Sequence, residues 1–456
     1  MSLLIAAPCS GSGKTLVSLL LAAVAHARGL GLQTFKVGPD YLDPQLLSQA
    51  SGRPCRNLDL LLCGQSWVQR SFHWWSQQQP LALVEGVMGL FDGLGPSPEG
   101  SSAAVAKSLD LPVVLVVEAS RQAGSLAAVV RGFRDHDPEL KIAGVVLNGV
   151  STPRHQQLLS ESLAAIHMPL LGVLPRHPAL ELPSRHLGLL PPQDLPDWPE
   201  RLQQLAELAP QWLNLDQLLP LLQVPQAQPV QPPLLQLGPA AAPHGTVVAI
   251  ARDNAFHFCY PELTESLEHL GFTVQWWAPL EDQALPKATA AVVLPGGYPE
   301  LHAAELSSCQ HSLKALRAHG QAGRPIYAEC GGMLLLGEQL EDRHGQLHPM
   351  AGLLPLIARR GSLSLGYRRA TALRDGFLLR QGEQLRGHEF HRWQLEPREQ
   401  ARQPQHLWQL EGWGVMSTVE GWSDSAIHAS WLHLQWGGCP SIARRFGRAA
   451  QAAMAL

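Results

Sequence analysis

Six short apolar runs punctuate the first 190 residues: Leu3 to Ala7, Gln33 to Val37, Leu81 to Val84, Val113 to Val117, Ile142 to Leu147 and Leu170 to Leu174, with a longer helix-like stretch between neighbours. Strands that are apolar throughout, rather than at alternate positions, are covered on both faces, which is the pattern of a parallel sheet between helical layers. A second cycle opens at Thr246-Val247-Val248-Ala249-Ile250 and continues through Thr273 to Trp276, Ala291 to Leu294 and Pro325 to Tyr327. Between the cycles the texture changes to Pro, Gln, Leu and Ala, including Pro225-Gln226-Ala227-Gln228-Pro229-Val230-Gln231-Pro232-Pro233, which resists regular structure. The expectation is an α/β chain of two domains, 1–190 and 245–456, joined by a Pro/Gln-rich linker over 191–244. A length of 456 residues agrees with that division, because one core stops growing at roughly 250 to 300 residues.

Composition narrows the partners. Hydrophobic residues at 45% and charged residues at 16% exclude a disordered chain. A formal charge of −4, from 34 Lys+Arg against 38 Asp+Glu, gives no basic footprint, so neither nucleic acid nor an anionic membrane is expected and a small-molecule partner is. Seven cysteines spread from Cys9 to Cys439 fit reduced thiols and a cytoplasmic setting better than a disulfide framework. The opening Met1 to Ala7 lacks a basic n-region and reads as a first strand. No apolar run approaches the roughly 18 to 20 residues of a membrane span.

Ser10-Gly11-Ser12-Gly13-Lys14-Thr15 stands between a strand and the helix-like Leu16 to Ala27, the context that a phosphate-binding loop requires. The glycines let backbone N–H groups close around phosphate oxygens, Lys14 reaches the β/γ-phosphates, and the Thr15 hydroxyl serves Mg²⁺. Pro8 occupies the place of the usual first glycine, so the loop enters by a different turn. Asp40, after the second apolar run, and Glu85, directly after the third, are placed at strand ends to hold the nucleotide's magnesium. Asp92 in Gly89-Leu90-Phe91-Asp92-Gly93 lies near in sequence. The alternative for each acid is a helix cap or a turn, and capping is the favoured reading for Glu118.

In the second half, Ile326-Tyr327-Ala328-Glu329-Cys330-Gly331-Gly332-Met333 reads as a strand, a tight turn and a helix start. Such a turn exposes the Cys330 nucleophile, and a helix N-terminus favours thiolate. Of twenty histidines, His433, on the strand-like alternation Ile427 to Leu434, is the best candidate for its base. Val292-Val293-Leu294-Pro295-Gly296-Gly297 runs a strand into a Gly-Gly turn, so the N–H groups of Gly297 and Gly331 are candidate oxyanion donors. His388 and His391 in Gly387-His388-Glu389-Phe390-His391 invite a metal reading, but in an extended segment they face opposite sides, so a structural or interface role is favoured.

These segments, with Lys36-Val37-Gly38-Pro39-Asp40-Tyr41-Leu42-Asp43-Pro44, Gly52-Arg53-Pro54, Asn57-Leu58-Asp59, Glu85 to Gly93, Ala251 to Phe256, Gly296 to Glu300 and Ser430-Trp431-Leu432-His433, occur in an order that resembles the cobyrinic acid a,c-diamide synthase family. The resemblance covers nearly the whole chain. It implies a P-loop, dethiobiotin-synthetase-like ATP domain with a parallel sheet, joined to a class I glutamine amidotransferase domain of flavodoxin-like fold. It accounts for Pro8, since that branch of phosphate loops also departs from the first glycine. The related cobyric acid synthase family lacks the Gly-Pro-Asp-Tyr-Leu-Asp-Pro element, which favours the a,c-diamide reaction.

What the resemblance implies for chemistry is the amidation of the a and c carboxylates of cobyrinic acid through acyl phosphates, with ATP as substrate, Mg²⁺ as cofactor and glutamine as nitrogen donor. Gly11, Ser12, Gly13, Lys14 and Thr15 would bind ATP; Thr15, Asp40 and Glu85 the metal; Asp40, Tyr41, Leu42 and Asp92 the corrin. Residue 435 is Gln where many class I amidotransferases carry the triad Glu, which implies a Cys330–His433 dyad, and Leu47 stands where relatives often carry His. A homodimer is left open. The alternatives are a related tetrapyrrole, hydrogenobyrinic acid or nickel sirohydrochlorin, and a non-catalytic regulator built on the same folds.

Overall fold

The apolar runs of the first half form one seven-stranded sheet: β1 (Leu3–Ala6), β2 (Leu32–Val37), β3 (Arg56–Leu58), β4 (Leu81–Glu85), β5 (Val113–Glu118), β6 (Ile142–Val150) and β7 (Leu170–Pro175). Their order is β3-β2-β4-β1-β5-β6-β7, and every pairing within it is parallel. β3 was not among the expected strands. It is three residues long and carries Arg56 and Asn57, which only their buried surroundings make compatible with a sheet. The computed structural model describes residues 2–182, 184–185, 188–189, 192–195, 197–225, 230–239, 242, 245–397, 405–423 and 426–455. It divides into two compact units, Met1–Pro233 and Leu234–Leu456.

The division corrects the expected linker. The helix α1 (Lys14–Ala27) is apolar on nearly every side, and such a helix must be covered all round. Its cover comes from the helices Trp198–Trp212 and Leu215–Leu222, whose Leu205, Ala209, Leu215, Leu218 and Leu222 share one core with Leu16, Leu19 and Leu20. Much of 191–244 therefore belongs to the first unit. Pro199 is tolerated in the first helical turn, where its missing N–H costs nothing. Of the Pro/Gln segment 225–233, residues 226–229 lie outside the described residues.

In the second unit, the strands Thr273–Trp277, Val247–Ala251, Thr289–Leu294, Ile326–Glu329 and Ile427–Ser430 lie side by side in that order, parallel, with Trp422–Ser423 antiparallel at the edge. A further element was not foreseen: the strands Leu356–Ala372 and Gln384–Pro397 pair antiparallel along nearly their whole length, with a register shift between Arg360 and Ser364. About a third of their positions are exposed and few are fully buried, so they lack the continuous apolar runs that mark the parallel strands. Among the described residues no helix is long and apolar enough to cross a membrane.

Candidate active sites

The first site gathers at the carboxyl ends of β1, β2 and β4, where an open parallel sheet places its ligand. Between β1 and α1 the chain turns through Gly11 and Gly13, at φ 78° and 105°. At Gly13 a side chain is excluded twice, by that φ and because a Cβ would lie 2.6 Å from Asn148 Nδ2. The Asn148 amide donates to the Ser12 carbonyl at 3.1 Å, tying the loop to the end of β6. Lys14 is almost buried; its Nζ donates to the Met88 carbonyl at 2.5 Å. Burial, and then the nearby Lys36 charge, lower its pKa from the ordinary lysine value.

Lys36 is the centre of a charged cluster that sequence reasoning missed. It is opposite Glu85 in the β2–β4 register, and its Nζ lies 2.6 Å from Asp43 Oδ2, 2.7 Å from Glu85 Oε1 and 3.9 Å from Asp40 Oδ2. Thr15 Oγ1 donates to the same Glu85 Oε1 at 2.7 Å and reaches Asp43 Oδ2 at 3.4 Å. Burial opposes the Lys36 charge, but Asp43, Glu85 and Asp40 hold its pKa well above the ordinary value. Burial likewise raises Glu85, and it pushes Asp40 up to about 7 with help from the Asp43 charge. Asp43 moves the other way: despite burial, Lys36 holds it below the usual carboxylate range. The one available signal was a lysine inside the apolar run Gln33 to Val37, where a charge is buried at a cost unless it is paired.

The other acids sort themselves. Asp40 Oδ1 accepts from the N–H groups of Leu42 and Asp43 at 2.8 and 3.1 Å, capping the helix α2 (Leu42–Ser51). Tyr41 precedes that helix and Leu42 is buried at its first position. Asp92 is exposed and its Oδ2 accepts from Gly89 N at 2.7 Å, closing the turn that presents the Met88 carbonyl to Lys14. Glu118 Oε1 accepts from Ser120 N at 3.0 Å, which closes a turn rather than capping a helix, because the next helix begins only at Ser125.

The second site forms where the strand Ile326–Glu329 meets the helix Gly331–Leu336. Cys330 sits between them at φ 46°, a left-handed conformation that a non-glycine residue adopts at a cost. Three backbones converge here. A Cβ at Gly332 would lie 2.1 Å from the Leu294 carbonyl, one at Gly297 2.1 Å from the Ala255 carbonyl, and one at Gly331 3.0 Å from Gly297 N. The two glycines expected to offer oxyanion donors are thus adjacent at the thiol. Cys330 Sγ reaches the Phe390 carbonyl at 3.7 Å, and Cys330 N donates to the Ser430 carbonyl at 2.8 Å.

His433 hydrogen-bonds the Cys330 side chain. It lies three residues past the strand Ile427–Ser430 rather than on it, held by a two-way backbone pairing with His388 at 2.9 and 3.1 Å. Burial pulls the imidazole down, but hydrogen bonds and charge from Cys330 and Glu329 outweigh it and raise His433 to about 10. The Gly387 to His391 segment thereby acts as a brace: His388 is half-buried, its imidazole pushed down to about 3 by desolvation, and the His391 ring stacks on Trp431 at 3.8 Å. Among the described residues no group of three or more His, Cys, Asp or Glu could hold a metal ion.

Glu420 supports the same corner, accepting from Ser430 Oγ at 2.5 Å and Trp431 N at 3.1 Å. Burial pushes it up to about 8. A carboxyl raised in the folded state contributes stability that is complete below its unfolded pKa and is lost as pH rises through the folded one. The melting temperature should therefore fall between about pH 5 and pH 8, and less steeply in Glu420→Gln; parallel melting curves for the two would contradict it.

Comparison with known proteins meets this geometry unit by unit. Residues 3–190 match the CobQ/CobB/MinD/ParA nucleotide binding domain and residues 247–439 the CobB/CobQ-like glutamine amidotransferase domain. Over the whole chain the similarity is to cobyrinate a,c-diamide synthase of Synechocystis sp., 42% identical across 98% of this chain and 92% of the relative. The chain belongs to the cobyrinate a,c-diamide synthase family. The same enzyme of Gloeobacter violaceus is 43% identical, across 98% of this chain and 96% of the relative. Hydrogenobyrinate a,c-diamide synthase of Streptomyces coelicolor is 40% identical, across 97% and 96%. As a member of this family the chain is an ATP-dependent, glutamine-using amidoligase of cobalamin biosynthesis, with an α/β architecture of one P-loop unit and one amidotransferase unit.

Proposed function

We propose that this chain amidates the a and c carboxylates of cobyrinic acid, taking ammonia from glutamine and activating each carboxylate with ATP. The observation that carries the reading is one polypeptide, matched end to end by the synthases above, with both reacting centres assembled: Lys14, Thr15 and Glu85 around the phosphate loop, and Cys330 with His433 at the elbow. Hydrogenobyrinic acid is the second reading, because relatives named for that substrate are almost as similar.

In the amidotransferase unit the Cys330 sulfur attacks the carboxamide carbon of glutamine. The Gly297 and Gly331 N–H groups hold the oxyanion, and His433 delivers a proton to the departing ammonia. Water then hydrolyses the glutamyl thioester to glutamate and regenerates the thiol. In the P-loop unit a corrin carboxylate oxygen attacks the γ-phosphorus and ADP leaves; ammonia then displaces phosphate from the acyl phosphate. Lys14 sets its charge beside the transferring group, and Lys36 keeps Glu85 and Asp43 ionised.

The residues present suit magnesium: Glu85 Oε2 is buried without a hydrogen-bond partner among the described residues, and the neighbouring donors are hard oxygens. Thr15 Oγ1 and Glu85 would hold the ion, with Asp43 beside them, while Asp40 spends one oxygen on its cap. When bound, the ion supplies positive charge against the triphosphate. For the corrin, Asp40 and Tyr41 remain the candidates; Leu42 is buried and Asp92 ties its own turn.

The test is incubation with cobyrinic or hydrogenobyrinic acid, MgATP and amide-¹⁵N glutamine. Each amidation exchanges a hydroxyl for an amino group and carries one label, so two successive labelled mass shifts are expected. A protein that binds ATP yet shifts neither corrin would overturn the assignment.

A further inference from the structure

The dyad expected from Gln435 leaves the catalytic histidine without an acidic partner, and a buried imidazole that must take and return a proton needs one to fix its ring. Gln435 does not supply a substitute: its Oε1 accepts from Gly438 N at 3.0 Å, within its own turn. A carboxylate reaches the imidazole from another direction. Glu329 Oε2 lies 3.4 Å from His433 Nδ1, and the two side chains are 5% and 2% exposed. The other oxygen, Oε1, accepts from Leu434 N at 3.0 Å and from the Tyr327 hydroxyl. Two donors thus pin one oxygen and the carboxylate plane, leaving the second oxygen to face the ring.

We propose that Glu329, the residue before the nucleophile, is the positioning carboxylate of the glutaminase centre, replacing the glutamate that other class I amidotransferases carry two residues after the histidine. This rests on the glutaminase reading of Cys330 and His433. The backbone explains how neighbours in sequence can share one imidazole. Consecutive residues of a regular strand point to opposite faces, but the left-handed turn at Cys330 takes the chain off the strand, so both side chains reach His433. With Glu329 Oε2 on the Nδ1 side of the ring, Nε2 is the nitrogen left for the thiol. The proton passes from sulfur to Nε2 and from there to ammonia, so Glu329 takes no part in the transfer itself. The raised pKa of His433 agrees with an acid at that distance. Among the described residues the further titratable neighbours are His388, paired to His433 through its backbone and pushed down to about 3, Tyr327, whose hydroxyl is already committed to Glu329, and the thiols of Cys259 and Cys439 near Glu329, both pushed up to about 12 by burial.

Glu329→Gln keeps acceptors for Leu434 N and Tyr327 and removes the charge. In the full-length protein, glutamine hydrolysis should fall by about 10²-fold in kcat with little change in KM. The pH profile of Cys330 alkylation by iodoacetamide should lose the inflection contributed by His433. Glu329→Asp should recover part of both. The alkylation profile is read on folded protein only, separated by its melting transition, so a folding defect does not imitate the effect. An alkylation profile identical to the wild type, or kcat within about threefold of it, would overturn the positioning role. If the wild type hydrolysed no glutamine but its alkylation profile still changed on Glu329→Gln, the glutaminase reading would fall and the Glu329–His433 coupling would stand.

Discussion

Cys330→Ala is expected to lose glutamine-dependent amidation by roughly 10⁴-fold or more, because removing the nucleophile of a unit that acts as a whole removes nearly all of its rate. With an ammonium salt replacing glutamine, the same variant should amidate at the wild-type rate, rising with pH as the unprotonated fraction of ammonia grows. The separation follows from where the groups lie. Cys330, His433, Gly297 and Gly331 all belong to the unit Leu234–Leu456, and Lys14, Thr15, Lys36 and Glu85 all belong to Met1–Pro233. The substitution itself is small: Cys330 is buried, and besides His433 its thiol makes only a long contact, 3.7 Å to the Phe390 carbonyl, among the described residues. Alanine bears the left-handed φ no worse than cysteine does, so the fold should survive. Labelled product from each nitrogen source is the measurement. A variant that loses both sources equally would mean that Cys330 also serves the P-loop unit, contrary to the proposed division.

What could be read from the sequence, and what could not, divides along a physical line. Strands covered on both faces announce themselves as continuous apolar runs, so β1, β2 and β4 to β7 were legible to within a few residues. The long hairpin Leu356–Ala372 with Gln384–Pro397 was not, because a half-exposed strand interrupts its own pattern. Proline and glutamine misled over 191–244: the helix Trp198–Trp212 tolerates Pro199 in its first turn, and what specifies it is the apolar surface of α1 that it must cover. The glycines at the elbow were legible because close backbone approach leaves only glycine as a solution. The roles of Lys36 and Glu329 could not be assigned, for the opposite reason. A buried charge declares its role only through its partners, and Glu85 and His433 arrive from remote parts of the chain.

Lys36→Met should abolish amidation with either nitrogen source, yet leave alkylation of Cys330 unchanged. The ammonium lies within 2.7 Å of two carboxylates and is itself fully buried. Removing one member of such a cluster leaves charge without compensation, which costs about 3–5 kcal/mol when the remaining groups stay ionised. They need not stay ionised: Glu85 and Asp43 can take up protons instead, which relieves the fold and disables the ligands proposed for magnesium. The pH dependence of stability distinguishes this from simple loss of packing. In the wild type, Lys36 holds Asp43 below its ordinary range, so Asp43 stabilises the fold at pH values above its unfolded pKa and loses that contribution only in stronger acid. Asp40, pushed up to about 7, already acts in the opposite sense, losing its contribution as pH rises through that value. Without Lys36, Asp43 should join Asp40, and Glu85, which burial already raises, should be raised further, so the melting temperature of the variant should fall from about pH 5 to pH 8 more steeply than that of the wild type. Melting curves at the two pH values, beside ATP binding and ammonia-dependent amidation, decide it. A variant with the wild-type pH slope, or one that still amidates with ammonium, would show that Lys36 does not keep these carboxylates charged.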